Sequence, residues 1–330
     1  MATVKYWKAI NDAMAEEMAR DPRVVVVGED VGQPGGTYVA TKGLFDRFGA
    51  GRVRDTPISE ATLVGMATGA AMTGLRPVVE IMFMDFITLG TDQLVNHAAK
   101  VSSVSGGEFR VPLVLRTMCG AGRNTGPQHG QSFESWLAHV PGLKVVWPSN
   151  PADMKGLLKS AVRDDNPVVV IESLALWGTR GEVPDGEHLV PIGSAATARA
   201  GDDVTLVAWG GAVPRTLAAA ETLDADHGIA AEVLDLRTLS PLDEEAILAS
   251  LARTGRLVVV HDAVGPYGPG AEIAALAATH GFGSLKAPVG RVTAPFAHVP
   301  FSRELEAAYF PQPAQVVEAA RKAVRALSRR

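Results

Sequence analysis

One acidic residue stands at the start of a long stretch that carries no other charge. Glu60 follows Thr56-Pro57-Ile58-Ser59, and the next charged residue along the chain is Arg76. Asp and Glu are rarely buried without a partner, so a carboxylate at the start of an apolar helix needs an explanation. Either Glu60 complements the positive end of its own helix, or it binds a ligand that requires a carboxylate.

A second candidate for chemistry is a histidine in a loop rich in glycine and polar residues. Residues 120–132 contain three glycines and then Gln128-His129-Gly130-Gln131. Functional side chains concentrate in loops that a rigid scaffold positions. A histidine titrates near neutral pH, so His129 is a candidate proton donor or acceptor. The alternative is an exposed loop histidine without a role.

Strands and helices are predicted to alternate around these residues. Helix periodicity begins near Tyr6, and the helix that starts at Glu60 carries Gly65 and Gly69 on one face, where another backbone is expected to approach closely. Further helices are predicted at 86–104 and 151–162. Short apolar runs predict buried strands at 24–27, 77–83, 111–116, 144–146 and 167–172.

The same alternation starts again after a stretch rich in glycine, proline and charge. Strands are predicted at 204–209, 230–236 and 256–261, and helices at 212–226, 243–251, 269–279 and 313–327. A length of 330 residues suggests two domains. The prediction is therefore an α/β protein with a first domain at 1–185, a linker at 186–202 and a second domain at 203–330. Each domain is expected to be a mainly parallel sheet flanked by helices.

Composition excludes several classes of protein. A net charge of -5 argues against nucleic acid as the main partner. The single cysteine, Cys119, excludes an intrachain disulfide and a cysteine-based zinc site. The N-terminus lacks the apolar block of a signal peptide, and no apolar run approaches membrane-spanning length. We therefore expect no membrane partner and a cytoplasmic protein.

Three stretches together resemble the beta subunits of the thiamine-diphosphate-dependent 2-oxo acid dehydrogenases, the pyruvate, branched-chain and acetoin group. They are the Ile58-Ser59-Glu60 turn, the Gln128-His129 loop, and the run 141–146, Pro-Gly-Leu-Lys-Val-Val. The resemblance extends over nearly the whole chain. It implies a pyrimidine-binding transketolase-like domain followed by a transketolase C-terminal-like domain. Gly130 departs from the family, which commonly has Ser at this position.

The resemblance also implies roles for individual residues. Glu60 matches the glutamate that bonds the pyrimidine ring of thiamine diphosphate. Phe86 matches the aromatic residue that packs on that ring, and Glu29 falls in the cofactor-binding turn Gly28-Glu29-Asp30. His129 matches the active-site histidine and would exchange protons near the reacting carbon. Relatives also hold a potassium ion, and the ligating positions carried over are Leu113, Ala161, Val162, Asp164 and Asn166.

One family motif is missing from the sequence. Relatives hold the cofactor's diphosphate and magnesium with a Gly-Asp-Gly motif, and this chain has none. In the split members of the family that motif belongs to the alpha subunit. The resemblance therefore implies half a cofactor site, an α2β2 heterotetramer and an association with a lipoyl acyltransferase core.

The predicted function is that of a beta subunit in a pyruvate-like 2-oxo acid or acetoin dehydrogenase component, which passes an acyl group to a lipoyl group. One alternative is half of a split transketolase-like or acyloin-forming synthase without a lipoyl partner. A second alternative is a non-catalytic docking subunit. The presence of Glu60, Phe86 and His129 argues against the docking subunit.

Overall fold

The computed structural model describes residues 1–326, in which strands and helices alternate along the chain. The strands are β1 Ala2–Lys5, β2 Val24–Gly28, β3 Val53–Asp55, β4 Arg76–Phe83, β5 Val114–Cys119, β6 Lys144–Val146, β7 Val168–Ser173, β8 Arg180–Val183, β9 Ala196–Arg199, β10 Val204–Ala208, β11 Ala231–Asp235, β12 Thr238–Ser240, β13 Leu257–Val264 and β14 Gly290–Ala294. The helices are α1 Tyr6–Arg20, α2 Leu44–Phe48, α3 Glu60–Met72, α4 Ile87–Asp92, α5 Val101–Val104, α6 Glu134–Ala138, α7 Pro151–Arg163, α8 Ala212–His227, α9 Glu244–Thr254, α10 Pro269–His280, α11 Arg303–Tyr309 and α12 Pro313–Arg325. No helix in this part of the chain is long and apolar enough to cross a membrane.

The chain divides into two units. The first comprises Met1–Gly120 and Trp136–Ile192, and the second comprises Ala121–Ser135 and the chain from Gly193 onward. Residues 121–135, which lie in the predicted first domain, thus group with the second unit. The strand β9 lies in the stretch predicted to be the linker.

A parallel sheet forms the centre of the first unit. Its strands lie in the order β6-β7-β5-β4-β2-β3, and every neighbouring pair is parallel. The apolar runs predicted to be strands are buried along nearly their whole length, as parallel strands covered on both faces require. Tyr6, Ile10, Met14 and Met18 of α1 are buried in the core, which confirms the helix predicted from their spacing.

Two predicted elements of the first unit have different bounds in the structure. The predicted strand 111–116 starts later, as β5, because Pro112 cannot donate a backbone hydrogen bond to a sheet. The predicted helix 86–104 is wrong as a single helix. It consists of a 3-10 turn at Met84–Phe86, α4, a π-helical segment at Gln93–Ala98, and α5.

Within residues 1–326, no other backbone closely approaches the two glycines of α3. A Cβ added to Gly65 would meet the Gln93 side chain at 3.1 Å, and one added to Gly69 would meet nothing within 4 Å. The close backbone approach is made by Gly90 of α4, where a Cβ would lie 3.3 Å from the carbonyl oxygen of Glu60. Close packing of these two helices therefore depends on a glycine opposite α3.

The second unit repeats the architecture with fewer strands. Its sheet has the order β14-β13-β10-β11-β9, in which only the edge strand β9 is antiparallel. Helices α8 and α12 bury apolar side chains against this sheet. The prediction of two mainly parallel sheets flanked by helices is confirmed.

Candidate cofactor-binding site

Glu60 is the first residue of α3 in the first unit. Its side chain is only 7% exposed, and within residues 1–326 its carboxylate makes no hydrogen bond or ion pair. The preceding residue, Ser59, does not cap the helix either, because its hydroxyl donates to the Thr62 Oγ1 at 2.8 Å. No capping hydrogen bond therefore accounts for a nearly buried carboxylate at this position. A ligand that offers a hydrogen-bond donor would satisfy it.

Glu29 lies directly after β2 and is half-buried. Loss of solvent raises the pKa of its carboxyl group, and the negative charges of Glu60, Asp30 and Glu80 raise it further. Neighbouring carboxylates favour the protonated form of Glu29 because like charges repel. The first unit therefore brings Glu29 and Glu60 together in one acidic cluster.

Phe86 ends the 3-10 turn that follows β4, and it is half-buried. Its ring meets Phe83 edge to face, with ring centroids 6.0 Å apart and an interplanar angle of 89°. Phe83 in turn meets Tyr38 edge to face at 5.8 Å. This aromatic cluster holds Phe86 in place while leaving part of its ring accessible.

His129 lies in the segment Ala121–Ser135, which belongs to the second unit, and it is half-buried. Its carbonyl oxygen accepts a hydrogen bond from the Thr125 hydroxyl at 3.1 Å. Glu29, Glu60 and Phe86 all belong to the first unit. The predicted site residues are thus divided between the two units.

The residues predicted to ligate potassium already pair with protein groups. Arg76 donates to the carbonyl oxygens of Val162 and Asp164, both at 2.9 Å, and Lys144 forms an ion pair with the Asp164 carboxylate. Backbone amides donate to the carbonyls of Leu113 and Ala161, and the Asn166 amide groups donate to Asp164. Two protein cations thus supply positive charge here. A carbonyl oxygen that accepts one hydrogen bond keeps a second lone pair and could still bind an ion. Potassium binding therefore stays a prediction.

A buried ion triad in the first unit is not among the residues predicted from the sequence. Arg116 of β5 donates to Glu80 at 2.7 Å and to both carboxylate oxygens of Glu172, at 2.7 and 3.1 Å. All three side chains are buried, and burial raises the pKa of Glu172 to about 7. The sequence signal for this triad is the charged residue within each apolar run, Glu80 in β4, Arg116 in β5 and Glu172 in β7.

A second missed group is Glu134, the first residue of α6. It is fully buried, and the Ser132 hydroxyl donates to one of its oxygens at 2.7 Å. Burial raises the pKa of Glu134 to about 7, and the nearby charge of Asp262 adds to the effect. Its other oxygen makes no hydrogen bond of normal geometry among residues 1–326, although the Trp209 indole lies near enough to lower the pKa slightly.

The described residues contain no group of three or more His, Cys, Asp or Glu side chains that could hold a metal ion. Hard cations such as magnesium require several oxygen ligands.

Comparison with known families gives two matches along the chain. Residues 2–178 match the transketolase pyrimidine binding domain, and residues 193–316 match the transketolase C-terminal domain. The overall fold is also similar to a solved split-gene transketolase, described as an inactive beta4 tetramer. The TM-score is 0.79 at 24% identity, covering 96% of this chain and 97% of that one. At this identity the likeness shows the fold alone.

Curated relatives are more similar in sequence. An acetoin:2,6-dichlorophenolindophenol oxidoreductase subunit beta from Cupriavidus necator is 46% identical, covering 96% of each chain. A mitochondrial pyruvate dehydrogenase E1 component subunit beta from Dictyostelium discoideum is 45% identical, covering 95% of this chain and 89% of the relative. A 2-oxoisovalerate dehydrogenase subunit beta from Bacillus subtilis is 42% identical, covering 98% and 99%. The chain therefore belongs to the transketolase-like family of beta subunits of the acetoin, pyruvate and branched-chain 2-oxo acid dehydrogenases.

Proposed function

We propose that the chain is the beta subunit of a thiamine-diphosphate-dependent dehydrogenase component that acts on a 2-oxo acid or on acetoin. The observation that carries the proposal is Glu60, a nearly buried carboxylate without a hydrogen-bond partner in the described chain. The relatives named as an acetoin oxidoreductase subunit and as pyruvate and 2-oxoisovalerate dehydrogenase subunits support the reaction class.

When bound, thiamine diphosphate supplies the carbanion chemistry that cleaves the bond next to the substrate's oxo group. Glu60 would bind the pyrimidine ring and share a proton with it. Phe86 would pack on that ring, and Glu29 would lie beside Glu60, whose negative charge helps to raise the pKa of Glu29. His129 would donate or accept a proton near the reacting carbon of the substrate.

We propose that an alpha subunit completes the site by supplying the ligands for magnesium and diphosphate. The sequence has no Gly-Asp-Gly motif, which supports this division. Exposed apolar side chains in and beside α3 and α4 also support a partner, since Ile58, Met66 and Leu89 face solvent in the isolated chain. An α2β2 assembly, transfer to a lipoyl acyltransferase core, potassium binding and a cytoplasmic location belong to the same proposal.

The alternative of a split transketolase-like or acyloin-forming synthase shares the fold. The relatives named as acetoin oxidoreductase or 2-oxo acid dehydrogenase beta subunits are 42–46% identical, whereas the split-gene transketolase is 24% identical. Sequence similarity therefore favours the dehydrogenase. The docking subunit is disfavoured because Glu60, Phe86 and His129 are all present.

Titration calorimetry with thiamine diphosphate and magnesium tests the half-site. We expect weak binding to the isolated chain and tight, magnesium-dependent binding once the alpha subunit is co-expressed. Tight binding to the chain alone would overturn the half-site. Turnover of acetoin, pyruvate and branched-chain 2-oxo acids with an artificial electron acceptor would then identify the substrate. Activity only with sugar phosphates or aldehyde acceptors would favour the synthase.

A further inference from the structure

The segment that carries His129 is held within the second unit by a buried carboxylate. Glu306 of α11 is 2% exposed, and each of its oxygens accepts a hydrogen bond from a backbone amide of the segment. Oε1 accepts from Gly122 at 3.2 Å, and Oε2 accepts from Asn124 at 2.8 Å. Hydrogen bonds to an ionised acceptor are about twice as strong as neutral ones, so this is a firm attachment.

The backbone conformation explains why a carboxylate is needed. Gly122 and Asn124 both adopt left-handed conformations, with φ of +82° and +59°. Alternating conformations of this kind direct nearby amides towards one point and form a concave site for an anion. These residues lie outside any strand or helix, so no sheet or helix partner satisfies their amides. Glu306 supplies that anion from within the protein.

Further contacts hold the chain between the Glu306-bound amides of Gly122 and Asn124 and His129. Gly126 lies against the Phe301 ring, where an added Cβ would come within 2.3 Å of a ring carbon. The Thr125 hydroxyl donates to the His129 carbonyl, and a Cβ on Gly130 would lie 3.1 Å from Val299. The segment is therefore fixed by side chains on both sides of His129.

We propose that Glu306 is a positioning residue that sets the place of His129 by binding the Gly122 and Asn124 amides. Glu306 itself does not touch the reacting atoms. The inference rests on the role given to His129 in the proposed function, whereas the attachment itself rests on the hydrogen bonds alone. The attachment and the positioning role are therefore tested by two separate measurements.

The attachment is tested by hydrogen exchange of the full chain, followed by mass spectrometry. In Glu306→Gln the amide nitrogen of the new side chain cannot accept, so one of the two backbone bonds is lost. We expect faster exchange in peptides covering 121–132 and no change in Glu304→Gln, a matched control with an exposed side chain on the same helix. Unchanged exchange in Glu306→Gln would overturn the attachment. If Glu306→Gln does not fold, Glu306→Asp keeps both oxygens on a shorter arm and is expected to show a smaller increase.

The positioning role is tested by kinetics of the enzyme assembled with its alpha subunit. We expect Glu306→Gln to lower kcat about 10- to 100-fold, because a misplacement of about 1 Å costs about 100-fold in rate. In a His129→Ala background the same change should have almost no further effect, since the residue being positioned is gone.

Equal losses of kcat in both backgrounds would show that Glu306 acts independently of His129 and would overturn the positioning role. Full turnover by His129→Ala alone would refute the role of His129 in the proposed function, and the positioning role with it. The exchange data would still decide whether Glu306 holds the segment.

Discussion

Glu134 makes the stability of the protein depend on pH in a way that one substitution should remove. Burial raises the pKa of this carboxyl group from 4.5 to about 7. Between these two values the folded protein keeps a proton that the unfolded chain has released, so the free energy of unfolding falls as pH rises. Because one pKa unit corresponds to about 1.4 kcal/mol, ionising Glu134 in the folded protein should cost about 3 kcal/mol by pH 8.

Glu134→Gln is neutral at every pH and keeps an oxygen that accepts the Ser132 hydrogen bond. We expect the variant and the parent protein to have similar stability at pH 5. At pH 8 the variant should be more stable, by up to about 3 kcal/mol, because it has no charge to bury. Urea unfolding at pH 5, 6, 7 and 8 measures the difference, with Glu221→Gln, an exposed position of the same unit, as the control.

Glu172 titrates in the same range, but its contribution cancels when the variant is compared with the parent at each pH. A difference in stability that stays constant from pH 5 to pH 8 would refute the reasoning. A variant less stable than the parent at pH 8 would also refute it, since that would mean the ionised carboxylate is stabilised in the fold.

Three further changes have expected outcomes. Arg116→Met leaves Glu80 and Glu172 without their buried counter-charge. It should lower the free energy of unfolding, measured by urea unfolding, by about 3–5 kcal/mol. A loss below about 1 kcal/mol would contradict a stabilising role for the triad. Replacing sodium by potassium at constant ionic strength should raise the melting temperature if the Asp164 region binds the ion, and identical melting curves would argue against the potassium site. Met66→Glu should leave the isolated chain folded, because Met66 is exposed. The charge of the new carboxylate should prevent co-purification with the alpha subunit if this face is the interface. Normal recovery of the complex would contradict a partner on this face.

The apolar runs of the sequence predicted the central strands of each sheet, but not the edge strands β3, β9 and β14. Runs such as Val24–Gly28 are apolar throughout because parallel strands are buried on both faces. The break in the helix predicted at 86–104 was not predictable from the sequence pattern, since the π-helical segment Gln93–Ala98, which packs against α3, contains no glycine or proline. Pro112 shifted the start of β5, and that shift could have been foreseen.

Glu60, Phe86 and His129 could be proposed from the sequence because each stands in a motif or beside a change in charge pattern. Glu134 and Glu306 could not be proposed, because the burial of Glu134 and the contacts of Glu306 arise only in the folded chain. Glu306 meets Gly122 and Asn124 across more than 180 residues, and no local pattern reports such a pairing. The grouping of residues 121–135 with the second unit is likewise a tertiary feature that sequence spacing does not reveal.

The central claim is that Glu60 binds the cofactor, and Glu60→Gln tests it most directly. Gln has the same size and still forms hydrogen bonds, but it cannot share a proton with a ring nitrogen. We predict an assembled enzyme with an unchanged melting temperature whose turnover falls about 100- to 10,000-fold, as expected for loss of a positioned acid–base group. If Glu60 only complements its helix dipole, the variant should lose about 0.3–1 kcal/mol of stability and turn over normally. Normal turnover with a slightly lower melting temperature would contradict the account.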